Sequence, residues 1–419
     1  MTKSILASIA IIIIITVSIS MAEFYIGVGT HVFEQNIDNN INIINKLRLN
    51  SLRDEINWKG VEKDKGQYSI PKTLSIYFNK AIISGVSPLV IFDYGNNLYD
   101  SGGKPVTREG IDAFVTFAKF SAKELSGLGS HFEIWNEWDM GVAPQSADSY
   151  YELVKATAPA IRAANGNAVI LAGAATSQAM RSGWVTKLIE LGVLKYVDGI
   201  SIHPYVHCER DAKPEAWFGY INDFYRKLQK ANADREVPLY ITEMGWPSHK
   251  GTCATPQEKV AQYLARALLL VRTLPAVKGF WWYDLKDDGI KMEEMEHNFG
   301  LLGFDYAPKA ALYSLRDIAP VIIKGMHFEK LQAPYGLVII SMIDGSGNNN
   351  MAIWTESGNN AKIEVNITSN NRYIPQIYKI GSVIKQNPVS LQSGTFITID
   401  GMPTIISGIE KFNITKVVW

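Results

Sequence analysis

The strongest constraint in this chain is an alternation. Eight runs of β-forming residues follow one another between Phe24 and Leu285, separated by helical or long connections. The predicted strands are Phe24–Val32, Ser51–Trp58, Ser87–Asn96, His131–Trp138, Ala168–Thr176, Val197–Tyr205, Pro238–Trp246 and Gly279–Leu285. Between them, apolar residues recur at helical spacing. Examples are Ile41, Ile44, Leu47 and Leu49 after the first run, and Ile111, Phe114, Phe117, Ala118 and Leu125 before the fourth. Several strands are apolar on both faces, as parallel strands covered by helices must be. Eight such repeats predict an α/β fold, a closed (β/α)8 TIM barrel. An open doubly wound sheet is the rival. Its one motif, Gly27-Val28-Gly29, lacks the third glycine and the downstream acid of a dinucleotide site.

The pattern changes after about Ala319. Short β runs such as GLVIISMI, MAIWTES and KIEVNIT follow, separated by turn residues such as Asp344-Gly345 and Ser357-Gly358. The expected division is therefore a catalytic barrel over 23–320 and an antiparallel, sandwich-like β domain over 321–419. No low-complexity linker separates them, so a rigid junction is expected.

Residues 1–22 stand apart. Lys3 precedes a mostly apolar run from Ile5 to Ile19, and Ser20-Met21-Ala22 offers small residues for signal cleavage before Glu23. An uncleaved membrane anchor is the alternative. Either reading takes the rest of the chain out of the cytoplasm: secreted, periplasmic or tethered to the membrane. Lys+Arg and Asp+Glu both number 41, a balance that gives no sign of nucleic-acid binding. Asn366 and Asn413 begin N-x-Thr sequons, which matter only in a secretory route that glycosylates. The two cysteines, Cys208 and Cys253, fall in the loops after the sixth and seventh strands. Those strands are neighbours in a barrel and their loops emerge on one face, so a disulfide between them is expected.

A barrel of this kind carries its chemistry at the carboxyl ends of its strands. There the sequence places Arg53 and Trp58 on the second strand and Trp135, Asn136, Glu137, Trp138 and Asp139 on the fourth. It adds His203 and Tyr205 on the sixth, Glu243 and Trp246 on the seventh, and Trp281, Trp282 and Asp284 on the eighth. Glycoside cleavage needs two carboxyl groups across the scissile bond, one protonated and one ionised. Glu137 and Glu243 meet the positional demand. A cation such as Arg53 would hold Glu243 ionised, and partial burial between Asn136 and Trp138 would raise Glu137. Trp58, Trp135, Trp138, Trp246, Trp281 and Trp282 all lie in or at the end of strands, out of ten tryptophans in all. That concentration suggests a groove that stacks sugar rings. Asp54, Glu55, Asp284, Asp287 and Asp288 fit groove lining or loop support better than reaction.

These motifs resemble the clan A glycoside hydrolases: WNE in FEIWNEW, TEMGW in YITEMGW, HPY in ISIHPY, WYDL in FWWYDL, and the segment RDEINWKGVEKDKGQY. The resemblance spans about residues 24–316. The closing segment GLLGFDYAPKAAL is similar to family 39 and related family 5 members, and among these the bacterial family 39-like exopolysaccharide glycosidases look most similar. The resemblance implies Glu137 as acid/base and Glu243 as nucleophile. It implies Asn136 as the contact to the sugar 2-hydroxyl, Tyr205 as a hydrogen-bond donor to the nucleophile, and His203 as a neighbouring polar residue. Arg53 would sit beside the nucleophile, and Trp282 beneath the reacting sugar, with Trp281 the alternative register. The implied reaction is retaining hydrolysis of an extracellular oligo- or polysaccharide, which calls for no metal or organic cofactor. A silent polysaccharide-binding protein and a transglycosylase are the alternatives on the same fold.

Overall fold

The computed structural model describes residues 24–126, 131–369 and 374–419. The leader read from residues 1–22 lies outside them. Among the described residues no helix is long and apolar enough to cross a membrane.

Eight parallel strands form one sheet. They are β1 Tyr25–Val28, β2 Ser51–Asn57, β3 Ser87–Asp93, β4 His131–Ile134, β5 Val169–Thr176, β6 Gly199–His203, β7 Leu239–Met244 and β8 Val277–Trp282. Their spatial order is β1-β8-β7-β6-β5-β4-β3-β2. An isolated parallel bridge between Gly29 and Arg53 joins the two ends and closes the barrel. The outer ring holds α1 Ile37–Leu47, α2 Lys72–Ile83, α3 Arg108–Glu124, α4 Ala147–Ala164, α5 Trp184–Glu190, α6 Pro214–Ala231, α7 Gln257–Val271 and α8 Ala310–Lys324.

Local chemistry sets where these elements begin. The side chains of Asn36, Thr107 and Ser146 accept from backbone N–H groups in the first turns of α1, α3 and α4. Buried Ile41, Ile44 and Leu47 form one face of α1. Most strands stop short of their sequence-predicted ends. Trp135 to Trp138, Tyr205 and Trp246 have left the ladder, and among them Asn136, Glu137 and Tyr205 turn their side chains to the barrel mouth. Inside, the barrel is layered. Leu89, Leu171, Tyr240 and Trp281 form an apolar floor. Above it lie Arg53, Glu133, His203 and Thr242, all buried.

The chain then builds antiparallel sheets. Their strands are β9 Gly325–Leu331, β10 Leu337–Asp344, β11 Asn349–Thr355, β12 Ala361–Thr368, β13 Gln376–Lys379, β14 Val389–Ser390, β15 Thr395–Ile399, β16 Thr404–Ile409 and β17 Lys411–Val418. One sheet runs β9-β10-β11-β16-β13-β14 and the other β15-β12-β17. The change of pattern read near Ala319 falls inside α8. Its last turn, Val321-Ile322-Ile323, is β-branched and follows Pro320, so it reads as strand in isolation.

Alternation along β10 explains the packing. Leu337 and Ile339 face the second sheet, whereas Val338, Ile340 and Met342 join the core of the barrel. The junction has a polar clamp. The Trp354 indole donates to Glu215 on α6 at 2.7 Å, and Arg266 on α7 donates both to Glu215 at 2.8 Å and to the Glu356 carbonyl at 3.1 Å. Trp354 is fully buried there. Trp354→Ala is expected to destabilise the protein by about 3–5 kcal/mol, the usual cost of emptying a large aromatic site. Thermal unfolding reads this out, and an unchanged midpoint would contradict an integral junction.

Candidate active site

The site grows from one buried cation. Arg53 is 4% exposed. Its Nε and Nη2 donate to Glu133 Oε2 at 2.9 and 2.7 Å, its Nη1 donates to Glu243 Oε1 at 2.5 Å, and Nη2 also reaches Asn136 Oδ1 at 3.0 Å. One guanidinium from β2 thus fixes side chains from β4, the loop after β4, and β7. Burial alone would favour the neutral form of Glu243. The charges of His203 and Arg53, with hydrogen bonds from Arg53 and Tyr205, outweigh it and hold the carboxyl below the usual glutamate range. The Tyr205 hydroxyl donates to Glu243 Oε2 at 3.1 Å.

His203 is enclosed on every side. Thr242 gives its one proton to Glu133 Oε1 at 2.8 Å, so its oxygen accepts from His203 Nε2 at 3.1 Å. The other nitrogen, Nδ1, faces Glu137 Oε1 at 3.0 Å and Glu243 Oε2 at 3.6 Å. Nδ1 donates to Glu137 when the imidazole is charged and accepts from it when Glu137 carries the proton. Burial opposes that charge, but Glu243 and Glu137 outweigh it and raise the histidine above its ordinary value. The Glu137 carboxylate is 30% exposed and open to the cavity. The facing atoms of Glu137, His203 and Glu243 all lie within 4.8 Å of one another. Glu137 has φ 48° and Trp135 has φ 66°, left-handed values that non-glycine residues adopt at a cost of roughly 1–3 kcal/mol each.

A cavity of about 360 Å³ opens over this group. Arg53, Asn136, Glu137, Tyr205 and Glu243 line it, together with residues that sequence reasoning missed: His31, Tyr94, His207, Tyr283, Glu296 and Phe299. Asp54 and Glu55 line it as well. Burial, against a hydrogen bond from Thr30, pushes Asp54 up to about 7. Glu133 and Thr242 were also missed. The signal for Glu133 was a lone charge within the apolar run HFEIW.

The tryptophan groove does not form. None of the six rings is more than 4% exposed. Trp58 stacks on Tyr99 at 5.2 Å beneath α3, and its indole donates to Glu62 at 2.8 Å. Trp138 packs on Tyr150 at 5.6 Å and donates to Ser149 at 3.1 Å. Trp246 donates to the Ala212 carbonyl at 2.9 Å, between Trp217 and Trp282. Trp281 lies in the barrel floor, and Trp282 points outward to the helix layer. Strand alternation decides this: once Trp281 faces inward, Trp282 must face out. The aromatic walls of the cavity are instead Tyr94, Tyr205, Tyr283 and Phe299. Asp139 is occupied with the backbone and hydroxyl of Thr176.

The loops around the mouth are cross-tied. Cys208 and Cys253 form a disulfide with their Cα atoms 4.7 Å apart, closing 45 residues between the loops after β6 and β7. Lys309 binds Asp287 at 2.6 Å. Asp284 is 1% exposed, and burial followed by the charge of Asp288 drives its carboxyl well up. His31 Nδ1 meets Asp288 Oδ1 at 2.8 Å.

Carboxylates, a buried guanidinium and aromatic walls at the carboxyl end of a (β/α)8 barrel define the site of a clan A carbohydrate-active enzyme. The chain belongs to the family Cellulase (glycosyl hydrolase family 5), whose model matches residues 20–272. No curated protein matches it in sequence. Among solved structures it is similar to a family 39 glycoside hydrolase from Bacteroides cellulosilyticus WH2, with TM-score 0.76 and 20% identity over 93% of this chain and 81% of that one. It is also similar to the family 30 subfamily 8 xylanase of Clostridium acetobutylicum, with TM-score 0.65 and 11% identity over 93% and 98% of the two chains. A third is the GH5_18 protein of Streptomyces cattleya, solved with GlcNAc, with TM-score 0.59 and 15% identity over 72% and 81%.

The His31–Asp288 pair has a pH signature. Burial works against the imidazolium, but the hydrogen bond to Asp288 and the charges of Asp288, Asp284 and Asp54 push His31 from 6.5 up to about 10. A pKa raised on folding gives stability that is complete below 6.5 and fades as pH rises through about 10. His31→Asn is therefore expected to flatten the decline in melting temperature across that window. A variant whose decline matches the wild type would contradict the pairing.

Proposed function

We propose that this protein is an exported retaining O-glycoside hydrolase that works by double displacement on a poly- or oligosaccharide. The carboxylate spacing carries the reading. Retaining enzymes hold their two carboxyl groups about 5 Å apart, whereas inverting ones need roughly 6.5–9.5 Å to admit a water molecule. The facing oxygens of Glu137 and Glu243 lie within 4.8 Å.

Roles follow from the surroundings. Glu243 is largely enclosed, ionised and oriented by Arg53 and Tyr205, and one of its oxygens attacks the anomeric carbon as the glycosidic bond breaks. Glu137 faces the cavity and delivers a proton to the departing oxygen. The glycosyl ester on Glu243 is then hydrolysed by water, and Glu137 takes the proton of that water. His203 tethers the Glu137 carboxylate beside the nucleophile. Asn136, held by Arg53, is placed to meet the hydroxyl next to the anomeric carbon.

The working unit is the barrel through the end of α8 at Lys324, and the strands from Gly325 onward brace it through the Trp354 clamp. The apolar segment at 1–22 directs export, and the Cys208–Cys253 bridge suits an oxidising compartment. The GlcNAc-bound relative supports a pyranose in the cavity.

NMR of the first-formed product on a hydrolysed β-glycoside tests the stereochemistry, and the expected product is the β anomer. Glu243→Gln is expected to lose at least about 10³-fold in kcat/KM with its circular dichroism unchanged. An α anomer formed first, or a variant keeping a tenth of the activity, would overturn the roles.

A further inference from the structure

A second cavity, of about 280 Å³, adjoins the first. Tyr94, Asn136 and Glu137 line both, but Glu243 lines only the first. Glu137 therefore stands at the junction. On the reading proposed above, the sugar attacked by Glu243 occupies the first cavity, and the group that Glu137 protonates leaves through the second.

The two differ in chemistry. Glu55 and Glu296 give the first cavity acceptors for sugar hydroxyls, beside the reacting Glu243. The second is walled by Trp135, Met140, Val142 and glycine backbone. Its polar side chains are largely spent. Lys104 is 7% exposed and donates to the carbonyls of Trp138, Met140 and Pro144 at 2.6, 2.8 and 3.1 Å, which uses all three of its protons. Asn136 accepts from Arg53 and donates one N–H to the Tyr94 hydroxyl at 2.9 Å, which leaves the other for the sugar in the first cavity. A second sugar ring would bring several hydroxyls to a surface with few free partners, and each one desolvated without a partner weakens binding. At the mouth, apolar side chains face solvent: Tyr94 is 41% exposed, Met140 45% and Val142 74%. Apolar groups left open beside a catalytic acid mark a surface that its substrate covers.

We infer that the second cavity is an aglycone site for an apolar alkyl or aryl group, so that the preferred substrates are glycosides of hydrophobic alcohols rather than longer saccharides. Each methylene buried there is worth roughly fourfold in affinity.

The test uses the full chain and one glycone, identified on a panel of β-glycosyl fluorides, which carry no aglycone. kcat/KM is then compared for the methyl glycoside, the octyl glycoside and the corresponding disaccharide. The octyl glycoside is expected to exceed both others by at least tenfold. In Met140→Asp and in Val142→Asp, each at an exposed position, the octyl-to-methyl ratio is expected to fall at least fivefold. An octyl-to-methyl ratio below two, a preference for the disaccharide, or a ratio unchanged in both variants would overturn the aglycone assignment. Fluoride turnover alongside any of these results leaves the glycosidase reading standing. No turnover of any fluoride would overturn that reading, and the aglycone assignment with it.

Discussion

A guanidinium buried inside a barrel is the constraint on which the rest of this structure depends. Arg53 is almost wholly shielded from solvent, so the fold must supply carboxylates. Glu133 and Glu243 do so from β4 and β7, and Glu133 is itself fully buried. Removing one partner from such a cluster leaves an uncompensated charge, at a cost of about 3–5 kcal/mol. The register of three strands, β2, β4 and β7, is thereby tied to one electrostatic arrangement. The cluster that stabilises the upper barrel layer also keeps Glu243 charged and pointed. Stability and the proposed reactivity share the same atoms.

His203 extends this logic upward. It lies between Thr242 below and Glu137 above, so the proposed acid/base is held against the proposed nucleophile without being buried itself. What surrounds the mouth is then a matter of pinning loops. The disulfide, the Lys309–Asp287 pair and the His31–Asp288 pair tie loops that would otherwise drift. Lys104 does the same for the loop after β4 by gathering three carbonyls. The β sheets behind α6 and α7 act at longer range, through Trp354 and Glu215.

Much of this was legible in the sequence because periodicity and strand ends are local properties. Eight β runs with intervening helices specify a closed barrel, and its rule for strand ends singles out Glu137 and Glu243. Neighbouring strands likewise bring Cys208 and Cys253 together. The direction in which a side chain points at a strand end was not legible. Trp282 and Tyr283 are adjacent, yet one faces the helix layer and the other the cavity, and only the register of β8 decides which. Tryptophans were read as sugar platforms because they cluster at strand ends. In the fold they fill the space between barrel and helices, and smaller rings such as Tyr205 and Phe299 line the cavity. His31 and Glu296 come from connections whose course no periodicity encodes. Glu133 was visible as a charge in an apolar strand, but its partner lies 80 residues away.

The central claim is that Glu243 forms the covalent bond to the sugar. A 2-deoxy-2-fluoro glycoside with a good leaving group, built on the glycone the enzyme accepts, slows release of the glycosyl intermediate more than its formation. Intact mass spectrometry should then show one added glycosyl unit, and peptide mapping should place it on Glu243 within YITEMGW. A label on Glu137 or elsewhere, or an enzyme that turns over this sugar yet never carries the adduct, would contradict it.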